Sequence, residues 1–343
     1  MAERNSIMLA TWHFHIEISS KCTLRCPRCA RQEVPNSLIN TELDLEFFKQ
    51  NFTPEFVLEN VKKITFCGDD GDPIYAHDLI PVVRYIKTIK PVEIVIVTNG
   101  SHKKSEWWTE LGSVLTEQDT VHFSIDGYDN VSNNLYRVNS NFDSITAGVR
   151  ALRESSACRL VWAAIAFKFN ELYINSMENL ARKLDMDAFQ LTLSTKFGKL
   201  YPTYGIEDPL QPSERYISSS HRFERRVTIL SLRGLNNSVN SINAQLYKSV
   251  TEINNVKPLC SIGNKGLYID ARGRLFPCCW VANRYSHNSE WQQTAEQFNL
   301  HTRTLSTVIT DDFWENELKT FRWQECQTKC SSAKVDEKYA TEW

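Results

Sequence analysis

The sequence predicts an α/β fold, a partial (β/α)6 TIM-like barrel followed by a small cysteine-rich segment built from a β-hairpin and a helix. Three observations predict it. β-Rich apolar runs alternate with amphipathic helical patterns through six units between residues 10 and 200, the pattern of repeated βαβ units. Glycines and unusual polar residues fall where the strands end, which is where such folds build their sites. From Pro258 onward the composition changes and cysteines return in number.

Each element has its own local reason. Trp12 to Ile18 alternates apolar and polar residues as a first strand, and Thr41-x-x-Asp44 reads as a capping box that opens a helix through Phe47 and Phe48. Ile64 to Gly68 is a second strand, Ala76 to Lys87 a helix, and Val92 to Thr98 a β-branched third strand ending in Asn99-Gly100. A helix over Ser105 to Leu115 leads to a fourth strand, Val121 to Ile125. Helix Phe142 to Glu154, strand Leu160 to Phe167, helix Leu172 to Leu184 and strand Phe189 to Ser194 complete the barrel. Residues 201–257 are polar, with Ser218-Ser219-Ser220 and Asn236-Asn237 clusters, and read as a connecting segment. Residues 258–343 form the third region: Leu267 to Asp270, the turn Ala271-Arg272-Gly273 and Leu275 to Cys279 make a hairpin, and Asp311 to Phe321 an amphipathic helix.

Composition narrows the class. A length of 343 residues suits a barrel with an appendage. The net charge of −2 and the lack of a basic run disfavour a nucleic-acid partner. Residues 1–10 lack the apolar stretch of a signal peptide, and no run of about 18 apolar residues offers a membrane span, so a cytoplasmic location is expected. No hydrolytic triad or Walker-type phosphate loop is present. Ten cysteines grouped toward the two ends favour metal ligation in a reducing compartment over disulfides.

The run Cys22-Thr-Leu-Arg-Cys26-Pro-Arg-Cys29 directly follows the first strand. Three thiolates hold a 4Fe–4S cluster by three of its irons and leave the fourth open to a small chelating ligand, whereas electron-transfer clusters usually close all four positions. A zinc knuckle, the competing reading, fits poorly without a fourth Cys or His nearby. This Cys-x3-Cys-x2-Cys pattern after an apolar strand resembles the signature of the radical S-adenosylmethionine enzymes, and the resemblance covers most of the chain. It implies that S-adenosylmethionine chelates the open iron and is cleaved to a 5′-deoxyadenosyl radical that takes hydrogen from an unreactive carbon. One departure is visible: the residue before the third cysteine, usually aromatic in the family, is Arg28.

The resemblance also assigns cofactor contacts. Cys67-Gly68-Asp69-Asp70-Gly71-Asp72-Pro73 after the second strand resembles the family's Gly-Gly-Glu-Pro loop and implies that Gly68, Asp69, Asp70 and Gly71 meet the methionyl ammonium, as carboxylates suit a cationic amine. Cys67 itself reads as a buried thiol. Ser124 and Asp126, on one face at period two, match family positions for the ribose or carboxylate, and Asn99, Arg137 and Asn170 are further carry-overs beside their reading as caps or solvated polar groups. Lys168, Lys196 and Tyr204 lie near strand ends as candidate bases or solvated residues.

Cys260, Cys278, Cys326 and Cys330 surround the hairpin and helix of the third region, with Cys279 an alternative to Cys278. They resemble the auxiliary-cluster domain called twitch, or in its longer form SPASM, which implies a second 4Fe–4S cluster. A structural zinc site is the competing reading. Trp280, Trp291, Trp314 and Trp323 enrich this tail as packing or as a substrate pocket. The whole implies a radical oxidoreductase in which the second cluster accepts an electron, acting on a peptide or small molecule and fed by a reductant such as flavodoxin or ferredoxin. A redox-neutral rearrangement, nucleotide-directed radical chemistry and a non-enzymatic electron-transfer or metal-binding module are the alternatives.

Overall fold

The computed structural model describes residues 12–33, 38–194, 208–213, 220–224, 267–282 and 294–311. The predicted helix Asp311 to Phe321, Cys260, Cys326, Cys330, Lys196, Tyr204, Trp291, Trp314 and Trp323 lie outside them, Asp311 excepted. The chain divides into two compact units, one of residues 1–20, 39–94 and 249–335, the other of residues 21–38, 95–248 and 336–343.

In the first unit, β1 (Trp12–Ile16) pairs parallel with β2 (Val61–Phe66) on one side and with β8 (Leu267–Ile269) on the other, and β8 turns back antiparallel into β9 (Leu275–Phe276). The expected hairpin is therefore formed, but as an extension of the sheet along β1. Its turn is closed by the Asp270 carboxylate, which accepts from the Arg272 and Arg274 amides at 3.0 and 2.9 Å and pairs with the Arg274 guanidinium. Helices α2 (Leu45–Asn51), α3 (Pro54–Asn60) and α4 (Leu79–Ile89) belong to this unit. They bury Phe47, Phe48, Phe52 and Phe56 with Phe14, Ile16 and Phe66 of the strands, an aromatic core whose rings meet edge-on or offset. One correction concerns the cap of α2: Asp44, not Thr41, caps it, its carboxylate accepting from Phe47 N–H at 2.8 Å. Thr41 N–H is instead taken by Ser20 Oγ at 2.9 Å. Asn51, buried, donates to the Leu300 carbonyl and accepts from the Leu305 amide at the start of α9 (Leu305–Ile309), tying that C-terminal segment to α2.

The second unit continues the alternation. β3 (Glu93–Thr98) leads into it, and β4 (Thr120–Ser124), β5 (Arg159–Ile165) and β6 (Ala188–Thr192) pair in parallel succession, with β7 (Ser220–Glu224) antiparallel to β6. Between them run α5 (Ser105–Gly112), α6 (Asn130–Asn134), α7 (Phe142–Ser155) and α8 (Ile174–Lys183), while α1 (Ala30–Glu33) follows the third cysteine. The strands read as near-continuous β-branched and aromatic runs because both faces are covered; Val121, Phe123, Leu160, Val161, Trp162 and Phe189 are fully buried. α6, with a capping box between Asp129 and Ser132, and α3, with Thr53 as cap and Pro54 at its first turn, were not among the expected elements. The fold class read from the sequence is the one found, a mostly parallel α/β sheet clad by helices.

Candidate functional site

The cysteine loop leaves β1 and is built in the second unit by bonds from segments far along the chain. Val138 carbonyl accepts from Arg25 N–H at 3.0 Å, and Asn139 Nδ2 donates to the Thr23 carbonyl at 2.9 Å. Cys29 N–H closes a turn onto the Cys26 carbonyl. Leu24 and Cys26 are buried against Tyr136, Phe167 and Leu210, with Cys22 and Cys29 at the margin of the same cluster. Thus three thiols sit on one loop against an apolar wall, two of them partly exposed. Among the described residues no three His, Cys, Asp or Glu groups converge as ligands of one metal ion do. A polynuclear cluster takes one thiolate for each iron it binds, so its ligands stand further apart than those of a single ion.

Hydrogen bonds reach the sulfurs. Cys22 Sγ accepts from Leu24 N–H at 3.4 Å and from Asn99 Nδ2 at 3.8 Å. Burial pushes the Cys26 thiol up to about 11, opposed by the charge and hydrogen bond of Arg137. Arg137 is in turn held by Asp126, whose Oδ2 accepts from Nε at 2.6 Å while Oδ1 accepts from Ile165 N–H at 2.7 Å. Burial works against the Arg137 charge, but Asp126 and Cys26 outweigh it and keep the guanidinium protonated. Burial likewise raises the Asp126 carboxyl, against the pull of Arg137.

The second unit therefore gives two of the three cysteines a polar partner each, Asn99 for Cys22 and Arg137 for Cys26, with Asp126 behind Arg137. Both Asp126 oxygens are engaged within the protein. Asn170 is engaged likewise, donating to the Asp126 and Ile165 carbonyls and accepting from Phe167 N–H, and so ties the ends of β4 and β5 together. Ser124 is half-buried at the end of β4, and Lys168 is exposed. Arg28 is buried and forms an ion pair with Asp208, each side chain 2% exposed. Asp208 Oδ1 also accepts from Leu210 N–H at 3.0 Å, which seats Leu210 against Cys26. The guanidinium noted as a departure before the third cysteine is thus paired with a carboxylate 180 residues away.

The glycine-rich loop belongs to the first unit and is moulded on a residue absent from the expected set. Glu17, 4% exposed, accepts from Asp70 N–H at 2.7 Å and Gly71 N–H at 2.9 Å through Oε1, and from Tyr268 Oη at 3.3 Å through Oε2. A Cβ on Gly68 would stand 2.6 Å from Glu17 Oε1, and one on Gly71 only 1.9 Å from the Ser19 carbonyl oxygen. Both glycines are therefore required by close approach. Burial, then Asp70 and Asp69, raise the Glu17 carboxyl well above the ordinary range. The available signal was a glutamate directly after the first strand and flanked by Ile16 and Ile18, a costly placement when buried unless paired. Cys67 is raised by burial and then by Asp69 and Asp72, so it is held as a thiol. Cys279 is buried and Cys278 partly so; burial and then Asp69 raise the Cys279 thiol well above the ordinary range.

No family model matches the sequence, and no curated protein does. The structure is similar to that of Streptococcus suis SuiB bound to its precursor peptide SuiA, with a TM-score of 0.58 at 16% identity over 94% of this chain and 70% of that one. SuiB bound to S-adenosylmethionine gives a TM-score of 0.56 at 15% identity over 94% of this chain and 69% of that one. These solved proteins are radical S-adenosylmethionine enzymes of the SPASM or twitch type. The chain thus has the partial-barrel fold of the radical S-adenosylmethionine enzymes.

Proposed function

We propose that this protein is a radical S-adenosylmethionine oxidoreductase in which Cys22, Cys26 and Cys29 hold a 4Fe–4S cluster. The observation that carries the reading is the cysteine loop itself: three cysteines outside any disulfide on one apolar-walled loop, two of them accepting hydrogen bonds, on this fold. That donor set fits the cluster, since soft thiolates select iron–sulfur groups and no fourth ligand closes the loop's own set. When bound, the cluster with S-adenosylmethionine supplies the electron that yields a 5′-deoxyadenosyl radical able to take hydrogen from an unreactive carbon. The chain's share is placement and electrostatics. Arg137, fixed by Asp126, and Asn99 draw electron density from the sulfurs, which raises the potential of a cluster held there. Leu24, Tyr136, Phe167 and Leu210 wall the loop where Cys26 is buried. Asp69 and Asp70, on the loop shaped by Glu17, offer carboxylates to the cationic amine of the cofactor.

A second 4Fe–4S cluster on Cys260, Cys278, Cys326 and Cys330, with Cys279 as the alternative at the hairpin, would accept the electron left on the substrate radical. Likeness to a SuiB structure that holds its precursor peptide favours a peptide substrate over a small molecule. The electron donor is a flavodoxin or ferredoxin, and the setting is cytoplasmic; among the described residues no helix is long and apolar enough to cross a membrane. Iron and sulfide are to be measured on protein reconstituted without oxygen, for wild type and for the Cys22→Ala/Cys26→Ala/Cys29→Ala variant. About eight irons falling to about four, as two such clusters hold, support the proposal. About four irons plus one zinc in wild type demote the tail to a structural site, and an unchanged iron content in the variant refutes the loop as a cluster site.

A further inference from the structure

The buried carboxylate at the end of β1 has no part in holding iron, yet the glycine-rich loop is built around it. Glu17 is tied to β8 by its backbone, its N–H donating to the Ile269 carbonyl at 2.8 Å, and by its side chain, through Tyr268 Oη at 3.3 Å. Its other carboxylate oxygen takes the two consecutive amides of Asp70 and Gly71. Beside it, His15, the register partner of Tyr268 across β1 and β8, packs its ring edge-on to Tyr268 at 4.9 Å and hydrogen-bonds the Cys67 carbonyl at 3.1 Å. The loop from Cys67 to Gly71 is therefore gripped at both ends, by His15 of β1 and by Glu17 directly after it, and β8, a strand of the C-terminal hairpin, buttresses both. With those two N–H groups turned inward to Glu17, the half-buried Asp69 and Asp70 side chains are carboxylates that the same loop carries toward a cationic ligand.

We infer that Glu17 and Tyr268 are positioning residues for S-adenosylmethionine: they set the conformation in which the loop from Gly68 to Gly71 receives the methionyl amine, and they make the C-terminal hairpin part of that machinery. The inference rests on the proposed cofactor and deepens it. Glu17 acts as a hydrogen-bond acceptor. One oxygen takes the Asp70 and Gly71 amides and the other takes Tyr268 Oη, so its bonds shape the loop.

The test compares Glu17→Ala, Glu17→Gln and Tyr268→Phe with wild type. It measures S-adenosylmethionine affinity by equilibrium dialysis, KM and kcat for 5′-deoxyadenosine formation, iron per chain, and amide hydrogen exchange of the peptide spanning residues 68–72. Loss of two hydrogen bonds to one buried acceptor corresponds to roughly a ten- to hundredfold effect. Glu17→Ala is expected to weaken affinity and raise KM by about that much with kcat changed less than threefold, and to speed exchange at Asp70 and Gly71. Glu17→Gln, whose amide oxygen still accepts both N–H groups, recovers affinity to within about threefold, and Tyr268→Phe loses about two- to fivefold, the worth of one neutral hydrogen bond. Equal losses in Glu17→Gln and Glu17→Ala would overturn the inference in favour of direct charge contact, and unchanged affinity in Glu17→Ala would overturn it outright. If Glu17→Ala does not fold, Tyr268→Phe decides: unchanged affinity and exchange refute the hairpin's role. Wild type that holds iron but binds no S-adenosylmethionine would instead refute the cofactor reading on which all of this rests.

Discussion

The cysteine loop of one unit and the glycine-rich loop of the other are supported by opposite charges. Behind Cys22 and Cys26 stand donors and a cation: Leu24 N–H, the Asn99 amide and Arg137, with a second buried guanidinium at Arg28. Around Gly68 to Gly71 stand acids: Glu17, Asp69, Asp70 and Asp72, with amides turned toward Glu17. A thiolate-bound cluster is stabilised by donors and positive charge, a cationic amine by acids. Each loop is thus matched to the charge of what the proposed function asks it to hold, and in each the charged residue that touches the loop is fixed by a second one, Asp126 behind Arg137 and Tyr268 behind Glu17.

The comparison breaks hardest at the buried ion pair. Asp208→Ala strips Arg28 of its carboxylate, which costs about 3 to 5 kcal/mol for a pair this deeply buried, read as a drop in urea midpoint. A loss under about 1 kcal/mol would mean that Arg28 does not depend on this pair.

On the acidic side, pH sharpens the contrast. Burial lowers His15 from 6.5 to about 4, so the unfolded chain binds its proton first. Stability from this residue is full above pH 6.5 and is lost as pH falls toward 4, about 3 kcal/mol in all. Glu17, raised in the folded state, acts with the opposite sign: its contribution is full below pH 4.5 and declines as pH rises through the folded value. His15→Gln is therefore expected to leave a stability that falls with rising pH, and Glu17→Gln one that rises from pH 4 to 6.5. Urea midpoints at pH 4, 5 and 7 check both slopes, and parallel curves for the two variants would contradict the assignment.

Gly71→Ala forces its new methyl group against the Ser19 carbonyl and Ser20, for about 1 to 3 kcal/mol of strain and a loss of S-adenosylmethionine affinity. Calorimetry on the reconstituted protein checks it. The smallest effect lies on the cysteine side: Asn99→Ala removes a long hydrogen bond from Cys22 Sγ and is expected to lower the cluster's midpoint potential by roughly 30 mV, about 0.7 kcal/mol for one electron. An EPR-monitored redox titration reads the shift.

Local patterns carried the strand and helix order, because β-branched runs and amphipathic periods are properties of neighbouring residues. β3 to β6 and α7 fall within two residues of where the sequence puts them. The cysteine spacing was legible for the same reason. What escaped depends on partners distant in sequence. Glu17 gains its meaning from amides 53 and 54 residues on, Arg28 from Asp208, and Thr41 bonds to Ser20, 21 residues back, while Asp44 caps α2. Asp126 was visible as a polar residue at a strand end, but only the Ile165 amide and Arg137 show that its two oxygens are engaged inside the protein. The short helix α3 does carry a local signal, a Thr53 cap followed by Pro54.

The most direct test of the central claim is 5′-deoxyadenosine released per chain after S-adenosylmethionine and dithionite are added to the anaerobically reconstituted protein. The account predicts release by wild type and none by the Cys22→Ala/Cys26→Ala/Cys29→Ala variant. No release from wild type with an intact cluster, or equal release from both proteins, would contradict it.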